Sequence, residues 1–174
     1  MDSKSFPQKR RKLREIFERE QPLIPINCIF DVVGAIEGIK PVSQIVAKQA
    51  NFEELRELCT SMGADMGRSP FKLLPKRRDI GRTVFSEVGA DHPYANHIYV
   101  YISKEPLNIE EAIQLDTQHD GQDTISKNQR KGNLLGYPAC CIDHYNEFIY
   151  GKEEPFLVQL DRTPIKGSYS FYNN

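Results

Sequence analysis

The chain of 174 residues carries 23 Lys and Arg against 24 Asp and Glu, a formal net charge of -1, so no global field draws it to nucleic acid or an anionic membrane. Its hydrophobic fraction of 39% and charged fraction of 27% are those of an ordinary globular domain, long enough to bury a core without disulfide staples. No apolar run approaches the roughly 18–20 residues of a membrane span, the start has no apolar signal region, and four cysteines in a chain of this size fit free thiols in a reducing, cytoplasmic setting better than a disulfide framework.

Residues 9–20, KRRKLREIFERE, predict a helix with Leu13, Ile16 and Phe17 on one face and Pro22 ending the run. Its cluster of Lys9, Arg10, Arg11, Lys12 and Arg14 reads either as a contact for nucleic acid or an acidic partner, or as a solvated face balanced by Glu15, Glu18 and Glu20. From Ile26 to Val33 the chain is apolar, and periodicity leaves a buried strand and a buried helical turn both open. Gly34 and Gly38 mark turns or close packing, Cys28 reads as a small core hydrophobe, and Pro41 opens a helix to about Ala50. Residues 51–63 are the clearest helix, with Asn51 as cap, Phe52, Leu55, Leu58, Cys59 and Met62 on one face, and Gly63 as stop. Cys59, inside that stripe, is expected to be inert.

Residues 64–82 read as loop, with two prolines and two glycines. They hold a second basic cluster of Lys72, Lys76, Arg77, Arg78 and Arg82. Folded beside Arg10 and Arg11, it would make one anion-binding face. TVFSEV and HIYVYIS, within 83–103, alternate as strands, the second with Ile98, Val100 and Ile102 on one side. The polar connection between them carries His92 and His97, either a pair able to share a metal or ordinary loop residues. Residues 106–118 predict a helix capped by Asn108 with Ile109, Ala112 and Ile113 inward. A polar stretch follows, with His119, Asp120 and Asp123 close in sequence and a short helix ending at Gly132. Beyond 150 there is one apolar run, Phe156 to Leu160, and an aromatic end with Tyr169, Phe171 and Tyr172.

The densest chemistry is NLLGYPACCIDHY, residues 133–145. Gly136 permits a backbone angle barred to other residues, and Pro138 suits the first position of a helix running to about Tyr150. That helix places Cys140 and Cys141 in its first turn, where the dipole favours a thiolate, the nucleophilic and metal-binding form. Cys141, Ile142, Tyr145, Phe148 and Ile149 make its apolar side, with Cys140 and His144 meeting at the edge. Cys140, Cys141 and His144 are therefore candidates for a zinc or iron–sulfur site, with further ligands from Cys28, His92, His97 or His119. Equally, one thiolate serves as a nucleophile with His144 as base, Cys140 being the more reactive. A vicinal disulfide ranks last, because adjacent Cα atoms lie about 3.8 Å apart, short of the usual disulfide span. Two thiols that only permit close helix packing are the competing reading.

LLGYPACCIDHY resembles the L-G-Y-P-x-C-C signature of an uncharacterised, largely archaeal and bacterial family, domain of unknown function 483; Leu135, Gly136, Tyr137, Pro138, Cys140 and Cys141 match it one by one. GIKPVSQI is similar to that family's G-[IV]-K-P segment, so the resemblance covers residues 34–50 and 127–150. Relatives carry a further Cys-containing segment downstream, whereas this chain has no Cys after Cys141. The resemblance implies no particular reaction.

The expectation is one α+β domain over residues 1–174, several helices on a small, mainly antiparallel sheet, with residues 1–21 a peripheral basic helix and 127–150 the cysteine motif. The leading function is a thiol-bearing protein that binds a metal or cofactor, or acts as an enzyme, through Cys140, Cys141 and His144. The rivals are a nucleic-acid or nucleotide-binding module using Arg10, Arg11, Lys76, Arg77 and Arg78, and a scaffold for a protein partner.

Overall fold

The computed structural model describes residues 5–20, 28–77, 83–118 and 124–150. In chain order they form α1 (Ser5–Glu20), α2 (Cys28–Ile36), β1 (Ser43–Lys48), a short 3-10 turn (Gln49–Asn51), α3 (Phe52–Ser61), β2 (Asp65–Arg68), β3 (Lys72–Arg77), β4 (Thr83–Val88), β5 (His97–Ser103), α4 (Pro106–Thr117), α5 (Thr124–Leu134) and α6 (Ala139–Tyr150). The pairings are antiparallel, giving the expected α+β class in one domain.

Alternation along β5 divides the core. Ile98, Val100 and Ile102 point to one face, where they meet Leu13, Ile16 and Phe17 of α1, Val32, Ala35 and Ile36 of α2, and Phe52, Leu55, Leu58 and Cys59 of α3. Tyr101 points to the other face, with Ile109, Ala112 and Leu115 of α4 and Leu134 of α5. The sheet is thus covered on both sides, which is why β5 reads as almost continuously apolar. One edge of β5 pairs with β1, from Ser43↔Ile102 to Lys48↔His97. Along its other edge β2 comes first, from Asp65↔Ser103 to Arg68↔Val100, and β3 then touches it at Leu73↔His97. Ser69 carries the ladder across the gap between β2 and β3. Its N–H donates to the Tyr99 carbonyl (3.0 Å) and its hydroxyl accepts from the Tyr99 N–H (3.2 Å).

Three segments depart from expectation. The helix from Pro41 to Ala50 is instead strand β1 and a 3-10 turn. Val42, Ile45 and Val46 are β-branched, and Ser43, Ile45 and Ala47 alternate inward, so six residues of pairing with β5 override the proline signal. Pro41 follows the end of α2 rather than starting a helix. Residues 64–82 are not simply loop but contain β2 and β3. Gly67 sits where a Cβ would fall 2.4 Å from Ile109 Cγ2, so this apparent breaker is the point at which α4 lies directly on the sheet. Pro75 pairs with Phe85 of β4 beyond the point where β3 has left β5, and so tolerates having no N–H on that side. Finally, α4 begins at Pro106, with Glu105 rather than Asn108 as its cap. Proline at the first helical position was the better signal.

The two motif glycines have one explanation. Gly38 (φ 76°) and Gly136 (φ 73°) are left-handed. At each, two backbone bonds close the preceding helix: Ile39 N–H to Gly34 C=O and Gly38 N–H to Ala35 C=O after α2, and Tyr137 N–H to Gly132 C=O and Gly136 N–H to Asn133 C=O after α5. Both are Schellman stops followed by proline. Gly136 therefore belongs to the exit of α5. Pro138 is the N-cap of α6, its carbonyl accepting from the Cys141 and Ile142 N–H groups, one position earlier than expected. The helix expected to end at Gly132 runs two residues further, to Leu134.

Candidate functional site

The two motif segments meet in space. Val42 N–H donates to the Leu134 carbonyl at 3.0 Å, tying the start of β1 to the end of α5. The Lys40 stem passes beside both stop regions: a Cβ on Gly34 would lie 3.3 Å from its Cγ, and one on Gly136 would lie 3.3 Å from its Cε. Its ammonium pairs with Asp31 at 2.5 Å and stands 5.7 Å from the centroid of the Tyr137 ring. The two segments that carry the resemblance thus meet at a joint, through Lys40, Val42, Leu134, Gly136 and Tyr137.

Beside that joint lies a cleft of about 420 Å³, walled by Gln44 of β1, Asn128, Lys131 and Gly132 of α5, Tyr137 of the turn, and Cys141, Ile142 and Tyr145 of α6. This volume is in the range of small-molecule sites. Cys141, half-buried, faces the cleft; Cys140 and His144 are exposed and are not among its walls. Of the two thiols, the one that borders a cleft is Cys141, whereas the expected reactive thiol, Cys140, is the more exposed. The helical arithmetic set Cys141 correctly with Ile142 and Tyr145, but that side of α6 borders a cleft as well as the core. Among the described side chains of α6, Ile142 and Asn146, one turn apart, are buried. The side chains of Phe148 and Ile149 lie outside the described ones.

A buried carboxylate stands behind the polar wall. Asp116 of α4 accepts from the Tyr101 hydroxyl at 2.5 Å, from Gln44 Nε2 at 2.6 Å and from the Lys131 ammonium. Three donors satisfy a charge whose side chain is 5% exposed, as a buried carboxylate requires. Burial, followed by the hydrogen bond to Asp116, pushes the Tyr101 phenol far up, so it remains a donor. On the far side, Asn128 Nδ2 donates to Asn146 Oδ1 at 2.9 Å.

Gly132 sets how closely α5 and α6 approach beside the cleft. A Cβ there would lie 2.6 Å from Ile142 Cγ1 and 2.7 Å from its Cδ1, so the backbone of α5 rests on the Ile142 side chain. Alanine in a helix interior gains roughly 1 kcal/mol over glycine, whereas overpacking costs about 1–3 kcal/mol. Gly132→Ala is therefore expected to lower stability in the wild-type background and to raise it in an Ile142→Ala background. Urea unfolding of the four proteins reads this reversal directly; equal effects in both backgrounds would refute the contact.

The other sequence candidates are placed as follows. His97 is in β5 rather than on the connection, and is buried 5.5 Å from the Phe85 ring. His92 packs on Tyr94 at 6.2 Å. Cys59 is fully buried, its thiol pushed up to about 12 by desolvation. Cys28 is half-buried, its thiol raised by burial and then by Asp31. Among the described residues no group of three or more His, Cys, Asp or Glu is arranged to hold a metal ion. The zinc or iron–sulfur expectation for Cys140, Cys141 and His144 therefore finds no completed ligand set there. In the first basic cluster, Arg11 and Arg14 pair with Glu15 and Glu18 on α1, and Arg10 reaches Glu37 at 3.1 Å. Helix α1 packs on α2 and α3, while Lys76 is exposed on β3. Arg78, Arg82, His119, Asp120, Asp123 and residues 151–174 lie outside the described residues. No helix of the described residues is long and apolar enough to cross a membrane.

Exposure, together with the raised thiol of Cys28, sets an order of thiol reactivity. In the native protein a neutral alkylating reagent should modify Cys140 first, then Cys141, then Cys28, and reach Cys59 only after unfolding. Peptide mass mapping over time checks this, and native-state labelling of Cys59 alongside Cys140 would contradict it.

Sequence reasoning passed over Gln44, Asn128, Lys131 and Asp116. Asp116 had a readable signal, since it continues the inward stripe of Ile109 and Ala112 on α4, and a carboxylate on an apolar stripe calls for donors. The other three had none, because the cleft is the gap between elements far apart in the chain. No protein-family model, curated protein or solved structure matches this chain; the family resemblance rests on the motif residues alone.

Proposed function

We propose that this chain is a small-molecule-binding protein in which Cys141 presents its thiol to the bound ligand, a thiol-dependent site for binding or catalysis. The observation that supports it is the composition of the cleft. A half-buried thiol stands on one wall, and on another a lysine is held in place by a buried carboxylate. Small-ligand sites combine apolar walls with a few fixed polar groups in this way. The site requires Cys141 rather than Cys140, and His144 lies outside its walls.

The test uses Cys140→Ser protein, which leaves Cys141 as the accessible thiol of the motif. The rate of Cys141 alkylation by iodoacetamide is measured across a library of small metabolites. A ligand of the site should slow alkylation of Cys141 while raising the melting temperature, and Cys141→Ser should alter its affinity. If no compound both stabilises the protein and shields Cys141, the proposal fails.

A further inference from the structure

The hydrogen-bonding groups of the cleft point to a chemical class of ligand, an inference that rests on the proposed small-molecule site. Asp116 is a carboxylate and can only accept, so Gln44 is obliged to turn its Nε2 toward it, at 2.6 Å. The Gln44 carbonyl Oε1 is thereby fixed away from Asp116, as an acceptor on a residue that lines the cleft. Lys131 places an N–H on the other oxygen of Asp116. An ammonium has three N–H groups, so donors remain on a side chain that also lines the cleft and keeps 31% of its exposure. Gln44 and Lys131 thus bring to the polar wall an acceptor oxygen and ammonium donors, each on a side chain tied to the same carboxylate.

Charge narrows the choice. Lys131 and Asp116 cancel, so an anionic ligand placed against the ammonium would also stand close to a buried carboxylate. A neutral oxygen accepts from Lys131 without that repulsion. The remaining walls favour a flat molecule. Tyr137 and Tyr145 border the cleft, and the Lys40 ammonium stands 5.7 Å from the centroid of the Tyr137 ring. Aromatic walls take planar rings by stacking.

We infer that the cleft takes a neutral, planar N-heterocycle with a lactam edge, a ring N–H beside a ring carbonyl, of the kind found in nucleobases. The N–H donates to Gln44 Oε1, the carbonyl accepts from Lys131, and the ring lies between the tyrosines. No bond is made or broken in this recognition.

Uracil and hypoxanthine are the probes, and titration calorimetry of the whole chain gives their Kd. Removing every lactam N–H by N-methylation, as in 1,3-dimethyluracil and 1-methylhypoxanthine, should weaken binding at least ~10-fold, because a buried acceptor is left unpaired. Gln44→Met should weaken the parent compounds by a similar factor and abolish the difference between parent and methylated forms. Benzoate, an anion of similar size, should bind more weakly than either lactam. The N-methyl comparison is made on wild-type protein, so the inference stays falsifiable if Gln44→Met does not fold. No detectable lactam binding, benzoate binding as tightly as the lactams, or N-methylated probes binding as well as their parents would each overturn it. The two proposals fail separately. Lactams that bind without shielding Cys141 would refute the thiol reading alone. Shielding of Cys141 by other compounds, with no lactam binding, would refute the ligand class alone.

Discussion

Asp116→Ala should cost about 3–4 kcal/mol of folding stability, because breaking a buried ion pair by removing one partner typically costs about 3–5 kcal/mol. The lower part of that range applies, since Lys131 keeps 31% exposure and can regain water. The Tyr101 hydroxyl cannot: Tyr101 is fully buried and loses its acceptor. Gln44 loses its partner as well. For a chain of this size the corresponding fall in Tm is about 6–16 °C. Asp116→Asn keeps an oxygen for Tyr101 and Gln44 and should cost less. Chemical denaturation of both variants checks the ranking; a loss below about 1 kcal/mol for Asp116→Ala would show that the carboxylate does not organise this region.

Alkaline pH should unfold the protein through groups buried in the core. The Cys59 thiol is raised by desolvation from 9.0 to about 12. Between those values the unfolded chain releases a proton that the folded chain retains, so stability falls as pH rises. The contribution is fully present below pH 9 and is lost as pH climbs through 12, at up to about 1.4 kcal/mol per pH unit and about 4 kcal/mol in all. Tyr101 acts in the same direction, its phenol raised by burial and by the bond to Asp116. Half-buried Cys28 adds to the effect. Urea midpoints measured from neutral pH upward should drop steeply past pH 9, and less steeply in Cys59→Val, which keeps the volume and removes the proton. Equal slopes in the two proteins would reject Cys59 as a source.

What the amino acids disclosed follows from where their information lies. Leu13, Ile16 and Phe17, or Ile98, Val100 and Ile102, report on their own element, and their spacing placed them correctly in the core. Pro41 misled as a helix start, and Gly67 and Pro75 as loop breakers, because the meaning of each is set by another element: the stop of α2, the approach of α4, and the divergence of β3 from β5. The same division holds at the site. The helix beginning beside Pro138, and the grouping of Cys141 with Tyr145, are local and were legible. Which thiol faces a cleft depends on Gln44 and Lys131, which no periodicity near the cysteines encodes. The motif itself changes meaning in this light. Gly38 and Gly136 stop helices, and Lys40 packs their two segments together, so much of the family-like pattern is explained by architecture.

The joint around Gly132, Gly136 and Val42 also bears on how the molecule comes apart. Helices α5 and α6 pack on each other as a hairpin. The hairpin is fastened to the rest by Leu134, buried against Tyr101 and α4, and by polar ties that include the Val42–Leu134 backbone bond, the Lys131–Asp116 pair and the exposed Arg130–Glu111 pair at 2.7 Å. Such a unit can peel away as a block while the α1–α3 side of the sheet stays folded. The cleft lies along the seam of that opening, with Gln44 on one bank and Cys141 on the other. A molecule held there acts as mortar. Its binding free energy adds to the cost of lifting the hairpin, and amide hydrogens of α5 and α6 exchange more slowly, while those opened only by global unfolding keep their rank as the slowest.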